Sequence, residues 1–276
     1  MSVAKREISL TEALGRYLSY TPNYAETEQF RTDLRTMNHT LLRDSIEECI
    51  QAKKAPGEVS SQTKRQLMHD VYMRKIKELA SLYPFLFAVE NALRSVAAER
   101  YATAFKNSSW WRIIHSAIAD GKSANDFLVQ QDGKKRVNNT PVNSAFVREV
   151  FISIERMSDS QRNILSAENC SPIVFYEEIT LRNLANIIFS DWLLCPLGGL
   201  KKSDFNSHMN TICHARNEIF HSNPIKNRAT VFTACERILD SVDVHLGDFD
   251  QKVRQVSYTR PSPSIRRNAR HCIPPL

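Results

Sequence analysis

The segment Arg228–Val256 reads RATVFTACERILDSVDVHLGDFDQKVRQV, and its apolar positions decide the fold class. Phe232, Cys235, Leu239, Val242, Leu246 and Phe249 recur at steps of 3, 4, 3, 4 and 3, which is one face of a helix. The spacing predicts a long helix over 228–256. Such a stripe is buried only against another element, so the helix calls for a long antiparallel partner.

The same periodicity extends outward through the chain. Leu86, Val89, Leu93 and Val96 form a second helical face within a region that predicts helix over 62–105. Tyr83-Pro84 is expected to kink that region or divide it, because proline removes a backbone donor and disfavours α geometry in the residue before it. Further helices are expected over 26–52, 110–119, 143–157 and 174–194, and from Ser203 onward. Pro196-Leu-Gly-Gly199 should stop the fourth of these, and Ser203 is a good N-cap for the last. Ser9-Leu-Thr-Glu12 fits a capping box opening a short first helix. The polar stretch 106–141 otherwise reads as loops, and 55–61 as a linker. The fold class expected is all-α. The domains expected are an N-terminal helical extension over 1–58, a helical domain over 59–256 and a basic tail over 257–276.

Composition narrows the function classes. Of 276 residues, 42% are hydrophobic and 24% charged, the balance of a soluble globular protein. Only 7 are glycine, which disfavours Gly-rich nucleotide loops. The longest apolar stretch, Leu79 to Val89, is too short to span a bilayer, and no apolar run follows the basic N-terminus. The expectation is a cytoplasmic protein with no membrane association. The formal net charge is +7, to which Arg260, Arg266, Arg267 and Arg270 of the acid-free tail contribute +4. This bias is compatible with a nucleic-acid partner without demanding one. Six dispersed cysteines, with no CxxC pair, read as reduced core residues. Cys213-His214 lacks the second Cys/His pair that zinc needs, and the sequence offers no carboxylate cage, so no metal or cofactor is expected.

The chemistry-bearing segment is His214-Ala-Arg-Asn-Glu-Ile-Phe-His-Ser-Asn-Pro224. Arg216 and His221, with the polar Asn217 directly after the arginine, resemble the arginine–histidine motif of HEPN ribonucleases. Phe87-Ala-Val-Glu-Asn-Ala-Leu-Arg-Ser95 resembles the helix of the Abi-like (abortive infection) members of that superfamily, in which glutamate precedes arginine by four positions. The order along the chain also agrees, with Glu90 and Arg94 early and the motif late. The resemblance covers roughly 64–256. It implies a HEPN-like helical bundle and a metal-independent endoribonuclease whose catalytic cluster is Arg216, Asn217 and His221. It also implies a homodimer with the motifs face to face across a twofold axis, and a phage-defence or toxin role. A neutralising antitoxin or a regulatory RNA would then be a partner. The alternative is a non-catalytic module that binds RNA or a nucleotide, or a helical dimerisation scaffold.

RNA cleaves itself when its 2′-hydroxyl attacks the adjacent phosphorus. The reaction is accelerated by removal of that proton, protonation of the leaving 5′-oxygen and neutralisation of the phosphorane. Imidazole exchanges protons near neutrality, and guanidinium offers a permanently charged planar fork to phosphate oxygens. On a continuous helix Asn217 and His221 share a face, whereas Arg216 and His221 point about 140° apart. Either the helix ends before His221, an end that Ser222-Asn-Pro224 supports, or the site is assembled between chains. Arg266 and His271 share the bare spacing but lie in a tail without apolar periodicity and are set aside.

Other residues carry two readings each. Glu90 and Arg94 form either a helix-surface salt bridge or a brace that orients Arg216 or His221. Trp110-Trp111 is either packing or a base-stacking platform. The doublets Glu47-Glu48 and Glu177-Glu178 read as solvated helix faces, and the basic tail as either a phosphate contact or a solubilising end. His39, His69, His115, His208 and His245 fall in no functional pattern of the sequence.

Overall fold

A computed structural model describes residues 12–18, 23–52, 61–130, 136–221, 223, 225 and 227–247, and among them the chain is built of helices with one small hairpin. Residues 12–18 are helical (α1). Then follow α2 (Tyr24–Thr36), α3 (His39–Ala52), α4 (Ser61–Ala80), α5 (Tyr83–Phe105), α6 (Trp111–Ala119) and α7 (Ala124–Gln130). After the strands β1 (Arg136–Val137) and β2 (Thr140–Pro141) come α8 (Ser144–Glu155), α9 (Asp159–Ser166), α10 (Val174–Glu178), α11 (Leu181–Ser190), α12 (Lys202–Phe220) and α13 (Arg228–Ser241). The all-α expectation holds. No helix among the described residues is long and apolar enough to cross a membrane. The expected linker at 55–61, the capping box before Glu12 and the basic tail lie wholly or mostly outside the described residues.

Several expected elements are divided or ended by side-chain caps. The stretch 26–52 is two helices, because Asn38 Oδ1 accepts from the amides of Thr40 and Leu41, both at 3.0 Å, and starts α3 afresh. The stretch 174–194 breaks likewise at Thr180, whose side chain accepts from Asn183 N and opens α11. Tyr83-Pro84 divides 62–105 as expected, with Pro84 in the first turn of α5, where its missing amide is harmless. The polar stretch 106–141 is more ordered than expected. It holds α7 and the β1–β2 hairpin, which turns on Asn138 and Asn139 at φ 46° and 65°, the left-handed pair a two-residue hairpin requires. A helix not anticipated, α9, opens on a capping box between Ser158 and Gln161.

The helix expected over 228–256 stops at Ser241. Val244 N donates to Leu239 O at 3.0 Å and Asp243 N to Asp240 O at 3.2 Å, with Asp243 at φ 58°. This is a Schellman closure with aspartate in the left-handed position that glycine usually fills. Gly198 N donates to Ser241 O at 2.9 Å and binds the helix end to the α11–α12 connection. A Cβ on Gly198 would sit 3.3 Å from that carbonyl, so a side chain fits poorly there.

The chain falls into two units. The first comprises Met1–Tyr83, Ala215–Ala229 and Gly247–Leu276; the second comprises Pro84–His214 and Thr230–Leu246. In the first, α3 packs along α4 over a core that includes Tyr17, Phe30, Leu41, Leu42, Ile46 and Met68. Ile219 and Ile225 pack against this core from either side of the turn that ends α12. Polar ties reinforce it. Arg65 donates to both oxygens of buried Asp33 at 2.8 and 2.7 Å, and Tyr17 OH donates to Lys64 O at 2.8 Å. Arg74 bridges Glu48 at 2.7 Å and Glu78 at 3.3 Å, and Arg228 meets Glu78 at 2.6 Å. Burial pushes the Glu48 carboxyl up, but Arg74 and Lys75 outweigh it and hold the group below its ordinary value.

In the second unit α8 is the central helix, with α6, α7 and α11 packed on it. Its aromatic core places the ring of Trp110 4.7 Å from Phe105, 5.4 Å from Phe146 and 5.6 Å from Tyr101. Trp110 Nε1 donates to Tyr176 OH at 2.9 Å, and Trp111 Nε1 to Pro172 O at 3.1 Å. Both tryptophans are 0% exposed. They are packing residues, and neither is available to stack a base.

Candidate functional site

The site is built on the last turn of α12. Its apolar stripe is buried at Phe205, Met209 and Ile212 and opens at Phe220, which is 58% exposed. His221 N donates to Asn217 O at 3.1 Å, and Asn223 N closes the helix end on Glu218 O at 2.7 Å. Ile219 is anchored in the core of the first unit, so His221, two positions on, is turned outward and exposed.

The turn between α2 and α3 stands beside it. Met37, Asn38, His39, Thr40, His221 and Asn223 line one open cleft of about 480 Å³. Asn38 joins its two sides. Its Oδ1 caps α3, its backbone amide donates to Tyr72 OH at 3.0 Å, and its Nδ2 reaches His221 O at 3.4 Å. Among the described residues the His221 imidazole makes no hydrogen bond, and His221 is one of the residues lining this polar cleft.

The structure separates the expected residues into groups. Asn217 on α12 and His221 just past its end are one turn apart, linked by the hydrogen bond from His221 N to Asn217 O, and both are exposed. Arg216 is half-buried, its guanidinium 4.7 Å from the centre of the Phe220 ring, which in turn meets the Tyr83 ring edge-on at 6.3 Å. His221 is the residue after α12, and its amide hydrogen bond to Asn217 O continues the last helical turn, a spacing that on an ideal helix directs Arg216 and His221 about 140° apart. Glu90 and Arg94 belong to the second unit, where Arg94 Nη2 donates to Glu90 at 2.6 Å. Their side chains are only 16% and 14% exposed, so the pair is not the solvated surface bridge that the spacing also allowed. The residues unassigned from the sequence are Asn38 and His39. Their signal was an Asn-His-Thr cap pattern inside a stretch whose apolar periodicity continues through it.

Cys49, Cys195, Cys213 and Cys235 are buried core residues, and Cys170 is half-buried. Burial pushes the Cys49 thiol up to about 11 and those of Cys195 and Cys235 to about 12, which makes all three poor nucleophiles at neutral pH. Cys213 is buried beside His214, and among the described residues no cluster of three His, Cys, Asp or Glu is placed to hold a metal ion.

No family model, curated protein or solved structure matches the chain.

Proposed function

We propose that this protein is a HEPN-like, metal-independent endoribonuclease that cuts RNA by 2′-hydroxyl attack, with the end of α12 as its catalytic element. The observation that carries the reading is an exposed imidazole, His221, standing on a polar cleft at the end of a helix that also bears Arg216 and Asn217. In this reading His221 moves a proton, Arg216 neutralises charge on the phosphorane, and Asn217 orients the phosphate or the imidazole. The divergence of Arg216 and His221 on one helix favours a composite site, in which a second copy supplies the complementary residue across a twofold axis. The roles of Glu90 and Arg94 as a brace, of an antitoxin or regulatory RNA as partner, and of phage defence in the cytoplasm rest on the resemblance alone.

A second reading has its own support. Tyr83 and Phe220 are 48% and 58% exposed, and Arg216 lies over the Phe220 ring. An exposed aromatic pair with a guanidinium is a stacking surface for bases, which suits an RNA-binding module without catalysis. Sequencing of RNA ends after induced expression separates the two. The ribonuclease reading expects new ends at discrete positions with the wild type, reduced about 10²-fold or more with Arg216→Ala. Equal end profiles for wild type and variant, with RNA still bound, would favour the binding module.

A further inference from the structure

The geometry points to His39 as a second catalytic imidazole, acting as the general base in the cleft where His221 acts as the general acid. This rests on the ribonuclease reading above and adds to it a residue from the other end of the chain. Cleavage by 2′-hydroxyl attack needs two proton transfers, one from the attacking oxygen and one to the leaving oxygen. A single imidazole serves both only by switching state within the step. The cleft supplies two: His39 from the first residue of α3 and His221 from the end of α12.

The state of His39 follows from its hydrogen bond. Its Nε2 lies 2.7 Å from Leu34 O, and a carbonyl oxygen only accepts, so Nε2 carries the hydrogen. The neutral ring therefore presents Nδ1 as an acceptor, and Nδ1 has no partner among the described residues. A backbone carbonyl that fixes the tautomer of an imidazole from behind is the arrangement that orients a histidine base. Asn38, the neighbour of His39, holds His221 O through Nδ2, so one asparagine sets the two sides of the cleft relative to each other. The amides of Thr40 and Leu41 are already taken by Asn38 Oδ1. Among the described residues, that leaves the two imidazoles, the Thr40 hydroxyl and the Asn223 side chain as groups on the cleft lining that can meet a phosphate.

The 2′-hydroxyl proton passes to His39 Nδ1 as the 2′-oxygen bonds to phosphorus. The bond from phosphorus to the 5′-oxygen breaks with its electron pair on oxygen, and His221 in its protonated form delivers a proton there. The products are a 2′,3′-cyclic phosphate and a 5′-hydroxyl. Water then returns His39 to neutral and His221 to its protonated form.

His39→Gln is the discriminating variant, because the glutamine amide keeps a donor at the Nε2 position and lacks a base. With a labelled RNA that the wild type cuts, His39→Gln is expected to cleave about 10²–10⁴-fold more slowly at unchanged thermal stability. Free imidazole is expected to restore part of the rate to His39→Gly, which a purely structural role for His39 would not allow. A second substrate carries a 5′-bridging sulfur at the cleaved linkage, a leaving group that needs no acid. It should rescue His221→Ala and not His39→Gln. Cleavage by His39→Gln at the wild-type rate, no effect of imidazole on His39→Gly, or sulfur rescue of His39→Gln would overturn the assignment while leaving the ribonuclease reading intact. A wild type that cuts no RNA would overturn both.

Discussion

Replacing His221 with alanine is expected to reduce RNA cleavage by about 10²–10⁴-fold, the range that a positioned acid or base supplies, while leaving stability within about 0.5 kcal/mol of wild type. Under the proposed mechanism, the catalytic loss would follow from removing the proton donor at the cleft. The unchanged stability follows from exposure: the imidazole is on the outer side of the helix end, and its backbone amide keeps the bond to Asn217 O whatever the side chain. Ile219 and Ile225 hold the turn in place without it. Initial rates on labelled RNA and a thermal melt measure both. A variant that melts early and loses activity in proportion would show that His221 is structural.

The largest effect on stability is expected at Trp110. Truncation to alanine should destabilise the second unit by about 3–5 kcal/mol, as for other buried aromatic residues. Four rings lie within 5.9 Å of the Trp110 ring, those of Tyr101, Phe105, Phe146 and Phe175, so little can collapse into the space left behind. The indole is also the donor to Tyr176 OH. That hydroxyl is buried, and losing its donor adds a desolvation penalty to the cavity. Trp110→Phe should lose less, because it keeps most of the volume and sacrifices mainly the hydrogen bond. Denaturant unfolding is the measurement. A loss under about 1 kcal/mol for Trp110→Ala would contradict the packing described.

Apolar periodicity made the helices legible and left their ends obscure. The stripe through Phe232, Cys235 and Leu239 is buried as read, since burial is what the repeat encodes. Val242 and Leu246 continue the numerical pattern beyond Ser241 and are only half-buried, because the chain has left the helix. The stop signal was Asp243 in a left-handed conformation, which aspartate adopts less often than glycine. Asn38 and Thr180 were hidden similarly, as caps inside runs whose spacing continues across them. The Ser158–Gln161 box and the Asn138-Asn139 turn were readable in principle, since both use local side-chain or backbone chemistry. The candidate site divides in the same way. Arg216, Asn217 and His221 are close in sequence and form a local pattern. His39 reaches the cleft only because α3 and the end of α12 pack on one core, and no local pattern records that.

The proposed ribonuclease cuts RNA without metal at the end of α12. Incubation of purified wild-type protein with 5′-labelled RNA in excess chelator, followed by analysis of both product termini, tests it most directly. The expected products are discrete fragments ending in 2′,3′-cyclic phosphate, with 5′-hydroxyl on the downstream pieces. Intact RNA, or fragments carrying 5′-phosphate and 3′-hydroxyl, would contradict it.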